Sequence, residues 1–409
     1  MKRIYYYLEL ENISPIHIGN GENTYTDLDV IKDENNQFYI PGTSLTGSIV
    51  HSLDKNDQEL IQPQYQSQSK QSPIIINDAR MINMKGTDTE VRNGISLDEN
   101  KITNHTAKYD YEVIPSGQHF ELCIEVIERG EISYDLLMNK IFSLIQNKDI
   151  KVGYKTTRGL GRLSIVKLGR KEFSKDNFKE YFSFNRYNYH LYDELKIEDI
   201  QSDRFITIEA YLHLKGGISI RTYNTSKGDA DFEHITSQGQ PIIPATSWNG
   251  LLRKTIKQYI HHLDLNLDII DLFGSDPLDH NPENRKKSKV YIEESVIDAD
   301  KDSSVINQRM ILQSRTRIDP FYGGTVNGSL YQEKSYYHGD TKLTISLSKD
   351  IQNIELAIQL FILFFKELND GFLALGGETS IGRGLFDVKK ILVDNKEITY
   401  QDYMEEISC

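Results

Sequence analysis

Residues 40–50 read IPGTSLTGSIV, and residues 243–253 read IPATSWNGLLR. The stretches match at Ile40/Ile243, Pro41/Pro244, Thr43/Thr246, Ser44/Ser247 and Gly47/Gly250, with apolar Leu45/Trp248 and Ile49/Leu252 in register. Proline fixes φ and ends a strand, a Thr or Ser caps the free amides of a starting helix, and the apolar spacing that follows is helical. Each copy therefore predicts a strand that turns sharply into a helix capped by Thr or Ser. One such turn is ordinary in a mixed protein, but two in register predict a duplicated domain.

A second pair supports the first. VGYKTTRGLG at 152–161 lines up without gaps on LGGETSIGRG at 375–384, so that Gly153/Gly376, Thr156/Thr379, Thr157/Ser380, Gly159/Gly382 and Gly161/Gly384 coincide. The helix turns lie 203 positions apart and the glycine loops 223 apart, which places about 20 extra residues between the motifs of the second copy. A period this long, occurring twice, predicts tandem domains rather than a solenoid.

Composition narrows the class. A chain of 409 residues has room for two or three cores. No stretch approaches the roughly 18 uninterrupted apolar residues of a membrane span, and MKRIYYYLELE already alternates like a strand rather than a signal peptide. A soluble, cytoplasmic protein with no membrane partner is expected. Two cysteines, Cys123 and Cys409, exclude a disulfide framework or a cysteine-built zinc site. A net charge of −13 argues against nonspecific sliding on polyanions while leaving room for a local basic groove.

Both halves follow one order. In the first, RIYYYLELE and FELCIEVIE alternate as half-buried strands, SYDLLMNKIFSLIQN has helical spacing behind Ser133, and GRLSIVKL closes the unit. In the second, FITIEAYLHL and KLTISLS are the strands, and NIELAIQLFILFFKELNDG is a helix capped by Asn353 and stopped at Gly371. Strand, helix, strand, strand, helix, glycine loop, strand is the order of an α+β ferredoxin-like sheet with insertions. Residues 1–170 and 203–409 are read as the two domains, and the polar, aromatic run 171–202 as a connector.

Neither glycine loop has the spacing of a nucleotide-triphosphate loop or a dinucleotide fold. The first is instead basic: residues 151–170 carry Lys151, Lys155, Arg158, Arg162, Lys167 and Arg170 and no acid. Glycines let backbone amides approach phosphates and interleaved cations neutralise them, so this run reads as a phosphodiester-binding turn, with a solvated basic hairpin as the bland alternative. In the other motif Arg253 and Lys257 lie one helical turn apart, able to face one phosphate strand together.

The ordered series LDVIKDENNQFYIPGTSLTG, IIINDARM, the run from RNGISLDEN to ELCIEV, and VGYKTTRGLGRL resembles the backbone subunit of type III CRISPR effector complexes in the RAMP superfamily. The second half repeats the series as IIPATSWNGLLRK, VYIEESVID, SRTRIDPFYGG and LGGETSIGRGLF, which is similar to the fused double form. The resemblance implies two tandem ferredoxin-like, RRM-type RAMP domains with thumb hairpins drawn from about 86–112 and 306–335. It implies binding of a CRISPR RNA, pairing with target RNA, and assembly with other effector subunits. The guide-binding positions carried over are Thr43, Ser44, Gly47, Lys155, Arg158 and Arg162 in the first half. In the second they are Ser247, Asn249, Arg253, Lys254, Lys257 and Arg383, with Arg317 in the second thumb.

Members of the family that cut target RNA use an aspartate ahead of the VIKD strand, which falls here on Asp27; in the second half Asp229 or Asp231 takes that place. The resemblance thus implies a metal-dependent endoribonuclease in which Asp27 holds a divalent cation, Mg2+ or Mn2+, or positions the RNA 2′-hydroxyl. Two other readings stand beside it. One is a non-catalytic RNA-binding scaffold, and the other a CRISPR precursor-processing endoribonuclease with a general-base histidine. His17, in SPIHIGNG, reads as a packed strand end.

Overall fold

The structure, a computed structural model, describes residues 2–21, 25–62, 64–65, 68–69, 71–82, 89–97, 103–129, 132–198, 200, 203–223, 230–275, 285–298 and 303–400. It is an α+β protein whose chain divides into two compact units, with all of 203–409 in the second.

In the first unit the elements that position the site are β1 (Lys2–Asn12), β2 (Tyr39–Ile40), α1 (Gly42–Ser52), β3 (Ile74–Ile76), β4 (Ala79–Ile82), β5 (Glu90–Leu97), β6 (Thr103–Val113), β7 (His119–Glu128), α2 (Asp135–Gln146), β8 (Leu163–Phe173) and β9 (Asp193–Glu194). The main sheet runs β9–β8–β1–β7–β4–β2, with β3 also on β7. The opening strand β1 is central, antiparallel to the closing strand β8 on one side and to β7 on the other. β5 and β6 form a separate antiparallel hairpin.

The second unit comprises β10 (Phe205–Lys215), β11 (Phe232–His234), β12 (Gln240–Ile243), α3 (Ala245–His262), β13 (Val290–Ile292), β14 (Met310–Arg315), β15 (Tyr331–Tyr337), β16 (Asp340–Ser348), α4 (Ile354–Asn369), β17 (Leu385–Val393) and β18 (Lys396–Ile398). Its main sheet runs β13–β16–β10–β17–β18. Again the opening strand is central, antiparallel to β16 and to the closing strand β17. β14 and β15 pair as a hairpin in the place of β5 and β6.

The duplication extends to an irregularity. β1 and β8 shift register between Glu9 and Leu10, leaving Val166 unmatched. β10 and β17 shift between Tyr211 and Leu212, leaving Lys389 unmatched. Val166 and Lys389 are 223 positions apart, the separation of the glycine loops. A β-bulge locally raises twist and re-aims the strand, so both closing strands leave their glycine loops with the same bend.

Period-two patterning sorts the strand faces. Ile208, Ala210, Leu212 and Leu214 of β10 point into a core with Trp248, Leu252 and the apolar face of α4. In β1 the inward set is Ile4, Tyr6, Leu8 and Leu10, packed with Phe120, Leu122 and Ile124 of β7 and Met138, Ile141 and Phe142 of α2. The expectation of a half-buried first strand fails here, because Tyr5 and Tyr7 on its other face are buried too. The stretch read as a connector folds over them: Phe184 lies 5.1 Å from Tyr5, and Tyr189 lies 5.3 Å from Tyr7, centroid to centroid. Gly169 permits the closeness, since a β-carbon there would stand 2.6 Å from that of Tyr192.

The helix starts also differ from expectation. Pro41 and Pro244 are themselves the residues preceding α1 and α3, and neither helix has a side-chain cap. Thr43 and Ser44 fall inside the first turn. Asn353 precedes α4 in the left-handed region without a side-chain cap, whereas Gly371 follows the helix at φ 81° as the sequence predicts.

Candidate nucleic-acid interface

The two glycine loops share one backbone. Left-handed residues at Gly153, Lys155, Gly159 and Gly161 (φ 88°, 54°, 83° and 84°) recur at Gly376, Glu378, Gly382 and Gly384 (φ 91°, 57°, 83° and 71°). Gly161 accepts from the Val152 amide at 2.8 Å and donates to the Pro15 carbonyl at 2.9 Å. Gly384 accepts from Leu375 at 2.9 Å and donates to Gly217 at 2.8 Å. A short 3-10 turn, Thr156–Arg158 or Thr379–Ile381, forms the tip of each loop.

The side chains on this shared backbone diverge in charge. The Lys155 ammonium lies over three rings, 3.6 Å from the Tyr111 centroid, 4.7 Å from Tyr109 and 5.4 Å from Tyr154. Room for Tyr109 comes from Gly94, its register partner, where a β-carbon would collide with the ring. Arg162 is buried, and its amide donates to Ser14 Oγ, while Arg158 is half-buried at the loop tip. In the second loop Glu378 replaces Lys155. Its Oε1 accepts from Arg315 at 2.6 Å, Tyr331 at 3.2 Å and Arg221 at 3.3 Å. Arg221 also holds Glu333 through two contacts of 3.0 and 2.9 Å. Burial and the neighbouring Glu333 charge push the Glu378 carboxyl above its ordinary range. Burial would push Glu333 up as well, but hydrogen bonds from Arg221 and Ser219 outweigh it and hold that carboxyl below its ordinary range. Arg383 lies over the Tyr337 ring at 4.6 Å and donates to Gln313 at 3.1 Å.

At the helix turns, Thr43 and Gly47 are exposed and Ser44 is half-buried. Gly47 and Gly250 both face open space, with nothing within 4 Å of where a β-carbon would stand, so the two helices present equivalent backbone-lined patches. The starts differ in one respect: the Gly42 amide donates to Asp78 at 2.7 Å, so a carboxylate already sits against the positive end of the α1 dipole. On α3, Ser247, Arg253 and Lys254 are half-buried and Lys257 is exposed, whereas Asn249 is buried.

The loop aspartates occupy matching places. Asp27 is exposed, and its Oδ2 accepts from the Asp110 amide at 2.9 Å. Asp231 is exposed, and its Oδ2 accepts from the Gln332 amide at 2.8 Å. The next residue in each loop bridges in parallel to the next residue of the hairpin strand, Leu28 to Tyr111 and Phe232 to Glu333. Asp229 lies outside the described residues. Asp110 returns a second bond, its Oδ1 accepting from the Asp27 amide at 2.8 Å, and Gln332 has no carboxylate with which to do so. Asp29 is buried and accepts from the Thr26 amide and hydroxyl, both at 2.8 Å, which shapes the turn presenting Asp27. Among the described residues no three His, Cys, Asp or Glu side chains converge to hold a metal ion.

The family model of the RAMP superfamily matches residues 9–164 and 205–387, one run in each unit. The chain belongs to the RAMP superfamily. A search of curated proteins returns no match. Membership points to a CRISPR-associated RNA-binding subunit, and two matched runs make this RAMP a double repeat. No helix among the described residues is long and apolar enough to cross a membrane.

Two histidines of this RAMP, His17 and His234, are packed. His17 is buried with Nδ1 2.6 Å from the Glu112 carbonyl, and burial lowers its pKa. His234 is fully buried, its Nδ1 accepting from the Ile220 amide, and burial lowers its pKa to about 4. Sequence reasoning placed Arg317, which is exposed, in the tip beyond β14 but missed the aromatics of that tip, Phe321 and Tyr322, which are 93% and 91% exposed. Asp319 holds that turn, accepting from the amides of Phe321 and Tyr322 at 2.8 and 3.1 Å. The signal was present in DPFYGG, where two large aromatics stand between a turn-forming Asp-Pro and a glycine pair.

Proposed function

We propose that this RAMP is the fused double backbone subunit of a type III CRISPR effector complex, which holds a CRISPR RNA guide and cuts the paired target RNA. The observation that carries the reading is the match between Asp27 and Asp231, two exposed carboxylates hung from equivalent hairpin-strand amides in two units. The sheet orders β8–β1–β7–β4 and β17–β10–β16–β13 support the ferredoxin-like, RRM-type reading of residues 1–170 and 203–409. The hairpins β5–β6 and β14–β15 serve as the thumbs that part the duplex. Guide phosphates are held along α1 and α3 and by the loops, through Thr43, Ser44, Gly47, Arg158, Ser247, Arg253, Lys254 and Lys257.

In the proposed reaction the target 2′-oxygen attacks the adjacent phosphorus and the bond to the 5′-oxygen breaks, giving a 2′,3′-cyclic phosphate and a 5′-hydroxyl. The Asp27 carboxylate accepts the 2′-hydroxyl hydrogen bond and orients the oxygen for in-line attack, the 2′-hydroxyl proton passes to solvent water as the bond to phosphorus forms, and another water protonates the leaving 5′-oxygen. Duplex RNA resists this geometry, so distortion by the hairpin must come first. Asp27, with Asp110 beside it, suits a Mg2+ or Mn2+ ion held by one or two carboxylates and completed by RNA phosphates rather than by a protein cage. When bound, such an ion supplies charge neutralisation at the scissile phosphate.

In the second half Gln332 stands where Asp110 stands in the first, so Asp231 has no side-chain partner of the Asp110 kind and its cut is expected to be the slower of the two. His17 and His234 are buried, so neither is placed to serve a processing nuclease as its general base. Purification of the chain from its host, followed by sequencing of the RNA it retains, tests the guide-binding reading. Guides sharing a repeat-derived tag are expected, and a random sample of cellular RNA would overturn it.

A further inference from the structure

The one left-handed residue of each glycine loop that is not glycine reaches the hairpin strand whose amide holds the loop aspartate. Lys155 places its ammonium 4.7 and 3.6 Å from the rings of Tyr109 and Tyr111, the residues on either side of Asp110. Glu378 accepts at 3.2 Å from Tyr331, which precedes Gln332, and shares Arg221 with Glu333, which follows it. Asp110 and Gln332 are the residues whose amides hold Asp27 and Asp231. The position therefore makes the same mechanical connection in both units while its charge is reversed.

We propose that Lys155 and Glu378 are positioning residues, latches that fasten the glycine loop to the root of the hairpin and so fix where the loop aspartate of their own half stands. The inference rests on reading Asp27 and Asp231 as cleavage residues. Its independent support is the charge reversal: a carboxylate at 378 cannot seat a phosphate, so the function common to the two positions is the tie and not anion binding. It also reassigns Lys155, whose ammonium is turned onto π faces, a contact that strengthens as water is excluded.

The test uses the full chain assembled with a guide RNA and an end-labelled complementary target. Lys155→Met keeps side-chain length and removes the charge, and Lys155→Arg returns a cation to the rings. Lys155→Met is expected to slow the cut lost in Asp27→Ala by about tenfold at saturating target, through displacement of the reacting groups. KM, the other cut and the salt dependence of guide binding should be unchanged, and Lys155→Arg should recover the rate to within about threefold. Glu378→Gln should slow only the cut lost in Asp231→Ala. A guide-binding salt slope reduced by about 0.7 in Lys155→Met would identify a phosphate contact and overturn the latch. Equal slowing of both cuts, marking general destabilisation, would overturn it too. If Asp27→Ala abolishes a cut that Lys155→Met leaves at full rate, the latch fails and the Asp27 reading survives. If Asp27→Ala leaves every cut, both fail.

Discussion

Replacing Gly161 by Ala should be among the more damaging single-methyl additions in the first unit. A β-carbon on Gly161 would stand 2.9 Å from the Val152 carbonyl carbon and 3.0 Å from its nitrogen, with the carbonyl oxygen nearer still. All three are backbone atoms of a hydrogen-bonded bridge and cannot swing away. The left-handed conformation at φ 84° adds about 1–2 kcal/mol for any residue with a β-carbon, and the overpacking about 1–3 kcal/mol. The expected loss is about 2–5 kcal/mol. Gly117→Ala is the control, because Gly117 has φ 83° and nothing within 4 Å, so only the backbone cost of about 1–2 kcal/mol applies. At about 2–4 °C per kcal/mol for a unit of this size, thermal unfolding followed by circular dichroism should fall by roughly 10 °C for Gly161→Ala and roughly 4 °C for the control. Gly384→Ala should resemble Gly161→Ala, since its β-carbon would stand 2.8 Å from both the carbon and the nitrogen of Leu375. Equal losses for Gly161→Ala and Gly117→Ala would refute the close approach, and a harmless Gly384→Ala would refute the equivalence of the loops.

Three further outcomes follow from other parts of the molecule. His234, buried with its pKa lowered from 6.5 to about 4, is protonated first in the unfolded chain. The stability present above pH 6.5 should therefore fall by about 1.4 kcal/mol per pH unit toward pH 4, and His234→Asn should flatten that slope in urea unfolding. Arg253→Ala combined with Lys257→Ala should weaken binding of every guide alike and reduce the salt slope by about 1.4, as two lost single-strand phosphate contacts require; loss limited to certain guides would indicate base readout. Phe321→Ser with Tyr322→Ser should leave stability within about 0.5 kcal/mol, because both rings are exposed, while weakening target RNA binding by about tenfold or more through lost stacking.

What was legible in the sequence was local or repeated. IPGTSLTG and IPATSWNG marked equivalent helix starts, and the glycine positions of the two loops gave their backbone, because only glycine accepts the close approaches at 161 and 384. What was not legible depends on residues brought together from afar. The Thr and Ser of the helix turns read as caps, yet the α1 start is closed by Asp78, 36 residues downstream. Lys155 read as one more cation in a basic run, and its cage is supplied by Tyr109 and Tyr111 of a distant hairpin strand. Its replacement by Glu378 was visible in the aligned loops, but its meaning needed Arg221, Arg315 and Tyr331 in space. Tyr5 and Tyr7 of the first strand and Phe184, Tyr187, Tyr189 and Tyr192 of the following stretch belong to one packed layer, which alternation within a single strand does not reveal. The match of Asp231 to Asp27 likewise rests on register with the hairpin, which places Asp231 opposite Gln332 as Asp27 is opposite Asp110.

The most direct test maps the cuts in a labelled target RNA at single-nucleotide resolution, using the assembled complex with divalent metal, for the unaltered chain and for Asp27→Ala and Asp231→Ala. Guide and target binding should survive both changes, because a carboxylate beside two phosphate backbones adds repulsion rather than affinity. Asp27→Ala should erase one band and leave any band assigned to the second unit, and Asp231→Ala should do the reverse. An unchanged ladder after Asp27→Ala, or the loss of every band from one substitution, would contradict two equivalent and independent loop sites.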